Sequence, residues 1–167
     1  MSKSLTAAAI TGGNLFIDGI GYLGDLVSAT MPKFEQETLE ASSSIGKYEL
    51  VLPTLKPITA SFVVNNPNQI YFNLLKQQTK SNIYIKKNLS QMDGINIGVV
   101  ATFEGYIKSL ELPNMEMNKE AQLSFEMNCI LIKYEVDKKT NLLYDVENGF
   151  YTINGSDQYE TIRKNIF

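Results

Sequence analysis

Alternation of apolar and polar positions dominates this chain. After Pro57, Ile58, Ala60, Phe62 and Val64 alternate with Thr59, Ser61 and Val63, and Leu123, Phe125, Met127, Cys129 and Leu131 form the clearest stripe at period two. Successive strand side chains point to opposite faces, so this period marks a strand with one buried face. Residues 14–17 read as a short strand closed by Asp18-Gly19, and 82–87 as another, ahead of a loop holding the Asp93-Gly94 turn. Residues 33–41 and 47–52 read as two arms of a hairpin whose tip is Ser42, Ser43, Ser44, Ile45 and Gly46. Val99, Ala101, Phe103 and Ile107 share one face of a longer strand.

Twice the phase slips. After Cys129 the apolar positions move to Ile130, Ile132, Tyr134 and Val136, and after Ile107 they move to Leu110 and Leu112. A strand that changes its apolar face midway carries a bulge or is covered on both sides. Two helices interrupt the strands. Asn66 offers an N-cap and Pro67 a first-turn proline to Ile70, Tyr71, Leu74 and Leu75 at helical spacing. Ser156 is the predicted cap of a C-terminal helix with Asp157 and Glu160 early, Arg163 and Lys164 late, and Tyr159, Ile162 and Ile166 as its apolar stripe. About eight strands and two helices predict a mainly β fold: an antiparallel sandwich or barrel with one or two flanking helices.

Composition narrows the picture. The 167 residues are 44% hydrophobic and 20% charged, enough for one core, and residues 1–167 are expected to form a single domain. The apolar runs are too short to span a bilayer, and the run 5–10 is too short for a secretory signal. A net charge of −3, with scattered lysines apart from Lys86-Lys87 and Lys138-Lys139, both placed near turns, argues against tight nucleic-acid binding.

Candidate chemistry is sparse. The chain has no histidine, which removes the commonest general base and the usual zinc ligand, and one cysteine forms no internal disulfide or cysteine cluster. Cys129, in an apolar strand, reads as a buried structural thiol. Gly19-Ile20-Gly21-Tyr22-Leu23-Gly24 satisfies G-x-G-x-x-G, but turn and strand residues follow where a dinucleotide site needs a helix N-terminus. The carboxylates Glu35, Glu37, Glu40 and Glu49 cluster in the hairpin without an apolar pocket to separate their pKa values. No catalytic, cofactor-binding or metal-ligating set emerges.

The order of several short motifs is informative. Asn14-Leu15-Phe16-Ile17-Asp18-Gly19, then Gly24-Asp25 and Pro32-Lys33, resembles the opening of the major tube proteins of contractile phage tails and R-type pyocins. Val99-Val100-Ala101-Thr102 with Gly105 is similar to that family's central strand. Tyr134, Val136-Asp137, Asp145-Val146, Asn148-Gly149, Ile153-Asn154-Gly155, Asp157-Gln158 and Arg163 are similar to its C-terminal third. The chain departs from the pattern where Lys138 follows Val136-Asp137 in place of glycine, and where Asn165-Ile166-Phe167 replaces a Gly-Leu close.

The resemblance implies a non-enzymatic tube subunit located in the virion tail or bacteriocin particle and assembled in the host cytoplasm. Six-fold rings, closed by a continuous inner β-barrel, would stack into a conduit for DNA or ions. The implied partners are other copies of the chain, the sheath, the tape measure protein, the baseplate and the tail terminator, with DNA passing without tight binding. On that basis Glu35, Glu37 and Glu40 are candidates for the lumen lining, with a solvated face elsewhere as the alternative, and the hairpin tip is a candidate inter-ring contact. A tube subunit of a related secretion or non-contractile system stands as a second reading. A small β-sandwich binding module, with Phe150 and Tyr151 as the hint of an aromatic platform, stands as a third.

Overall fold

The computed structural model describes residues 8–22, 24–76 and 79–167. Twelve strands and two short helices follow in the order β1 (Ala8–Ile17), β2 (Ile20–Tyr22), β3 (Leu26–Thr30), β4 (Gln36–Ser43), β5 (Gly46–Leu55), β6 (Thr59–Asn65), α1 (Gln69–Asn73), β7 (Ser81–Gln91), β8 (Asn96–Glu111), β9 (Gln122–Val136), β10 (Lys139–Asp145), β11 (Phe150–Ile153), β12 (Ser156–Asp157) and α2 (Glu160–Ile166). All strand pairs are antiparallel.

Ten strands form one sheet with the path β12-β11-β10-β9-β8-β7-β1-β2, and β3 and β6 branch from it; β4 and β5 form a separate two-stranded sheet. The branch point is β9. Opposite β8, its first half pairs with β6 and its second half with β10. This change of partner folds the sheet over itself into a sandwich-like body, and the core fills the fold. Phe62 on β6 packs against Phe125 on β9 and Phe103 on β8, with ring centroids 5.1 and 5.5 Å apart. Leu15, Ile17, Ile83, Ile85, Leu123 and Met127 are fully buried around them. No ladder among the described residues closes the sheet into a barrel.

Both phase slips are bulges. Glu104 faces Leu131 and Gly105 faces Cys129, leaving Ile130 as an extra residue on β9. Ile107 faces Met127 and Ser109 faces Glu126, leaving Lys108 extra on β8. Each extra residue moves the apolar set from odd to even positions while the same face stays buried. The Ile130 carbonyl turns to accept from the Val146 amide at 2.9 Å, so the bulge also secures the β10–β11 connection.

Several local expectations shift. Asn68, not Asn66, caps α1: its Oδ1 accepts from the Ile70 amide at 2.8 Å, while Asn66 sits in the left-handed region at φ 57°. Ser156 lies in β12, and α2 starts at Glu160 after the Asp157 carboxylate accepts from the Tyr159 amide. Tyr159 and Ile162 are half-buried, but Ile166 is exposed near the chain end. Lys86-Lys87 lies within β7 and not at a turn; Lys138-Lys139 does follow a turn, where Asp137 and Lys138 both take positive φ. The G-x-G-x-x-G segment begins in the β1–β2 turn and precedes β3, and among its described residues there is no helix to receive a phosphate.

Candidate assembly surface

The β4–β5 hairpin projects with little support from its own chain. From Gln36 to Val51 every residue but Ala41 is exposed, including Leu39 at 56%, Tyr48 at 55%, Leu50 at 50% and Val51 at 57%. An isolated two-stranded ribbon is marginal in water, because neither face removes its side chains from solvent. The register places Leu39 opposite Leu50 and Ala41 opposite Tyr48, while Glu40 faces Glu49 and Ser42 faces Lys47. One face of the ribbon is therefore apolar and the other charged. Strand alternation puts Glu37 on the apolar face and Glu40 on the charged one.

The three candidate carboxylates occupy different settings. Glu35 precedes β4 at the root of the hairpin, where Lys56 Nζ and Lys33 Nζ lie 2.7 and 3.0 Å from its oxygens. The Lys56 and Lys33 hydrogen bonds hold its pKa down to about 2. Glu40 is 2.7 Å from Lys47 Nζ. Glu37 accepts from the Thr54 hydroxyl at 2.8 Å and has no ion-pair partner among the described residues. At the tip, Ser43 pairs with Gly46, so Ser42 and Ser43 belong to β4 and the turn itself is Ser44-Ile45. The Ser43 hydroxyl donates to the Gly46 carbonyl at 3.1 Å, and Ile45 stands 98% exposed at the apex.

Aromatic packing fixes the root. Phe34 stacks on Tyr151 and meets Tyr144 edge-on, with centroids 6.0 and 5.9 Å away, and the Tyr159 hydroxyl donates to the Pro53 carbonyl. Tyr151 is thus a half-buried member of a cluster joining the hairpin to β10, β11 and α2. Only Phe150 stays open, beneath the Arg163 guanidinium at 4.7 Å. Arg163 is held in turn by Asp157 and by the Gly149 carbonyl. These contacts make the aromatic residues a brace and not the flat platform of a sugar-binding module.

The outward face of the main sheet carries residues to which none of the sequence motifs points. Phe16 and Tyr84 stack at 4.6 Å with Lys86 Nζ 5.1 Å above the Phe16 ring. Beside them, Asn88 donates to Thr11 and Asn96, and the Ser90 hydroxyl is 2.7 Å from Asn96 Oδ1, forming an uncharged network across β1, β7 and β8. The signal was present: Asn82, Tyr84, Lys86, Asn88 and Ser90 recur at period two opposite the apolar Ile83 and Ile85. No group of His, Cys, Asp and Glu among the described residues could hold a metal ion. Cys129 is buried at 4% exposure, and burial pushes its thiol up to about 12.

A folded antiparallel body with an amphipathic ribbon left outside defines a subunit built for assembly. Residues 7–166 match the sequence profile of the phage tail tube protein FII family, and the chain belongs to that family: it is a structural subunit of a tail tube. Solved structures share the fold at low identity. A chain of the PVC extracellular contractile injection system in its sheath/tube terminator, extended state, superposes with a TM-score of 0.55 at 11% identity, covering 74% of this chain and 93% of that one. A chain of the PVC sheath-tube complex gives 0.54 at 12%, covering 74% and 88%. A chain of the anti-feeding prophage cap gives 0.50 at 14%, covering 74% and 87%. No curated protein matches the sequence.

Proposed function

We propose that the whole chain acts as a single tail tube domain without enzymatic activity, forming six-fold rings that stack into a hollow conduit. The observation that carries this reading is the β4–β5 ribbon, whose apolar face of Leu39, Tyr48 and Leu50 stays half-exposed in the isolated chain. Apolar residues gathered on one side of a ribbon require cover, and further copies of the same chain supply it in a closed ring. The sheath and terminator settings of the fold relatives support equivalent partners here, and we extend the proposal to a baseplate and to a tape measure protein in the lumen during assembly in the host cytoplasm. DNA or ions would pass through without being held, consistent with the negative net charge.

The hairpin carboxylates divide under this reading. Glu40, with Glu49 opposite, belongs to the face turned to the lumen. Glu37 lies on the reverse face with Leu39, and Glu35 is the clamp at the root. The Ser44-Ile45 turn contacts the adjacent ring. Negative-stain microscopy with mass measurement tests the proposal directly. Rings of six copies, or tubes, are expected. A strictly monomeric mass over a wide concentration range, with no particles even on added baseplates, would refute it.

A further inference from the structure

Two asparagine–glycine pairs stand at turns near the C-terminus, Asn148-Gly149 and Asn154-Gly155. An asparagine before glycine is open to attack by its neighbour's amide nitrogen, since glycine has no Cβ to crowd the ring that forms. Both asparagines are exposed, but the fold holds them differently. Asn148 is fastened to Asp145: its backbone amide donates to Oδ1 at 3.1 Å and its side-chain amide to Oδ2 at 2.7 Å. The Gly149 carbonyl accepts from Arg163 at 2.7 Å, which pins the glycine as well. The Asp-Gly pairs at 18–19 and 93–94 also have their carboxylates engaged, Asp18 by the Asn82 amide and Asp93 by the Ile95 amide, both at 3.2 Å.

Asn154 is the exception. It is tied only through its backbone amide, which donates to the Asn141 carbonyl at 2.8 Å, and its side chain has no partner among the described residues. A Cβ on Gly155 would meet nothing within 4 Å, so the space around the turn is open. Asn154 holds φ 48°, a left-handed conformation that is unfavourable for an L-residue, so leaving it meets little resistance. The ladder it closes is two pairs long, Thr152 with Asp157 and Ile153 with Ser156, and so short a ladder opens locally with ease.

We propose that Asn154-Gly155 is a self-modification site whose conversion to isoaspartate unfastens α2. The Gly155 amide nitrogen, losing its proton to solvent base, attacks Asn154 Cγ; the Cγ–Nδ2 bond breaks and the side-chain nitrogen leaves as ammonia. Water then opens the resulting cyclic imide. Cleavage between the Gly155 nitrogen and Cγ gives aspartate. Cleavage between that nitrogen and the Asn154 main-chain carbonyl carbon gives isoaspartate, in which the chain runs through Cβ and Cγ. One water enters, one ammonia leaves, and nothing is oxidised or reduced. Either product carries a carboxylate in place of the amide, one unit below the net charge of −3.

Isoaspartate also adds a methylene to the main chain of the β11–β12 turn, and two-residue turns fit their strands only in a few tight geometries. Ser156 then loses its place opposite Ile153, and Asp157 its place opposite Thr152. Asp157 is what holds α2: its carboxylate accepts from the Tyr159 amide at 2.9 Å and pairs with the Arg163 guanidinium. Tyr159 in turn donates from its hydroxyl to the Pro53 carbonyl in β5. The change at 154 therefore reaches α2 through Asp157 and the root of the hairpin through Tyr159.

Warm incubation of the purified chain near neutral pH, followed by peptide mass mapping, tests the site. In the folded chain Asn154 should be lost faster than Asn148 by about tenfold or more, because misplacing reacting groups by about 1 Å costs on the order of 100-fold. In urea the two pairs should convert at similar rates. An isoaspartyl methyltransferase should label the 154 peptide. Amide exchange at Arg163 and Phe167, which donate to the Tyr159 and Arg163 carbonyls, should be faster in the isoaspartate fraction. Asn154→Gly, which suits the positive φ, should abolish the change in charge at this turn, and freshly purified Asn154→Asp should carry the charge with α2 exchange unaltered. Equal or earlier loss at Asn148 in the folded chain would overturn the site, as would conversion at neither position until urea is added. Isoaspartate at 154 with α2 exchanging at its original rate would overturn the unfastening.

Discussion

Gly105 stands where two strands come closest. A Cβ built on it would meet the Asn128 carbonyl oxygen at 2.0 Å, a backbone atom that cannot swing away. Gly105→Ala must open the β8–β9 ladder beside a bulge, and a loss above about 3 kcal/mol is expected by denaturant titration. Lys138 presents the opposite case. At φ 62° it occupies a conformation that costs an L-residue about 1–2 kcal/mol, against glycine's extra chain entropy of roughly 0.5–1 kcal/mol. Lys138→Gly should therefore raise stability by about 0.5–1 kcal/mol, read as a higher denaturant midpoint at unchanged slope. Cys129→Ala removes one buried sulfur and should cost on the order of 1 kcal/mol, with ring formation unaffected. The raised thiol pKa adds a kinetic expectation: thiol reagents should not label Cys129 until the chain unfolds.

At the scale of elements, the hairpin and its root separate folding from assembly. Ile45 touches little of its own chain, so Ile45→Asp should leave the thermal midpoint within a degree or so and still shorten or abolish tubes; full-length tubes would contradict its contact role. The root responds to acid. Glu35 has a folded pKa of about 2 against 4.5 for the free group, so its contribution is complete above 4.5 and lost as pH falls toward 2. Carboxyl chemical shifts should show that low midpoint, and Glu35→Gln should remove it. The elements themselves were largely legible in sequence, since period two marked β6, β8 and β9 and the serine-rich turn marked the hairpin. The bulges were legible only as a choice, because a phase slip looks the same whether one residue is extra or both faces are covered. The α1 cap is Asn68 and not the expected Asn66, two residues earlier, because the two carry the same side chain and only backbone geometry distinguishes the left-handed one. Site residues were harder still. Alternation gives Glu37 and Glu40 opposite faces, but ion pairing to Lys47, Lys33 and Lys56 depends on register across the hairpin, which residue types alone leave open.

For the whole molecule, the outward face and the charged face of the ribbon together define the proposed conduit. Glu40 and Glu49 repeated six-fold would bring on the order of a dozen carboxylates within a Debye length or so of one another, partly offset by Lys47. Replacing both with Gln should preserve or strengthen rings and slow polyanion transit. Replacing both with Lys should retard it further, with a steep salt dependence from phosphate contacts. Equal transit in all three tubes would show that this face does not govern passage. The extra residues Ile130 and Lys108 bear on strength under load. Strands in an even ladder can creep past one another two residues at a time without changing faces, but here any such slide must move both kinks out of register with the strand they face. Pulled along its axis, a tube of these subunits should part at the joints, breaking into intact rings before any single subunit stretches.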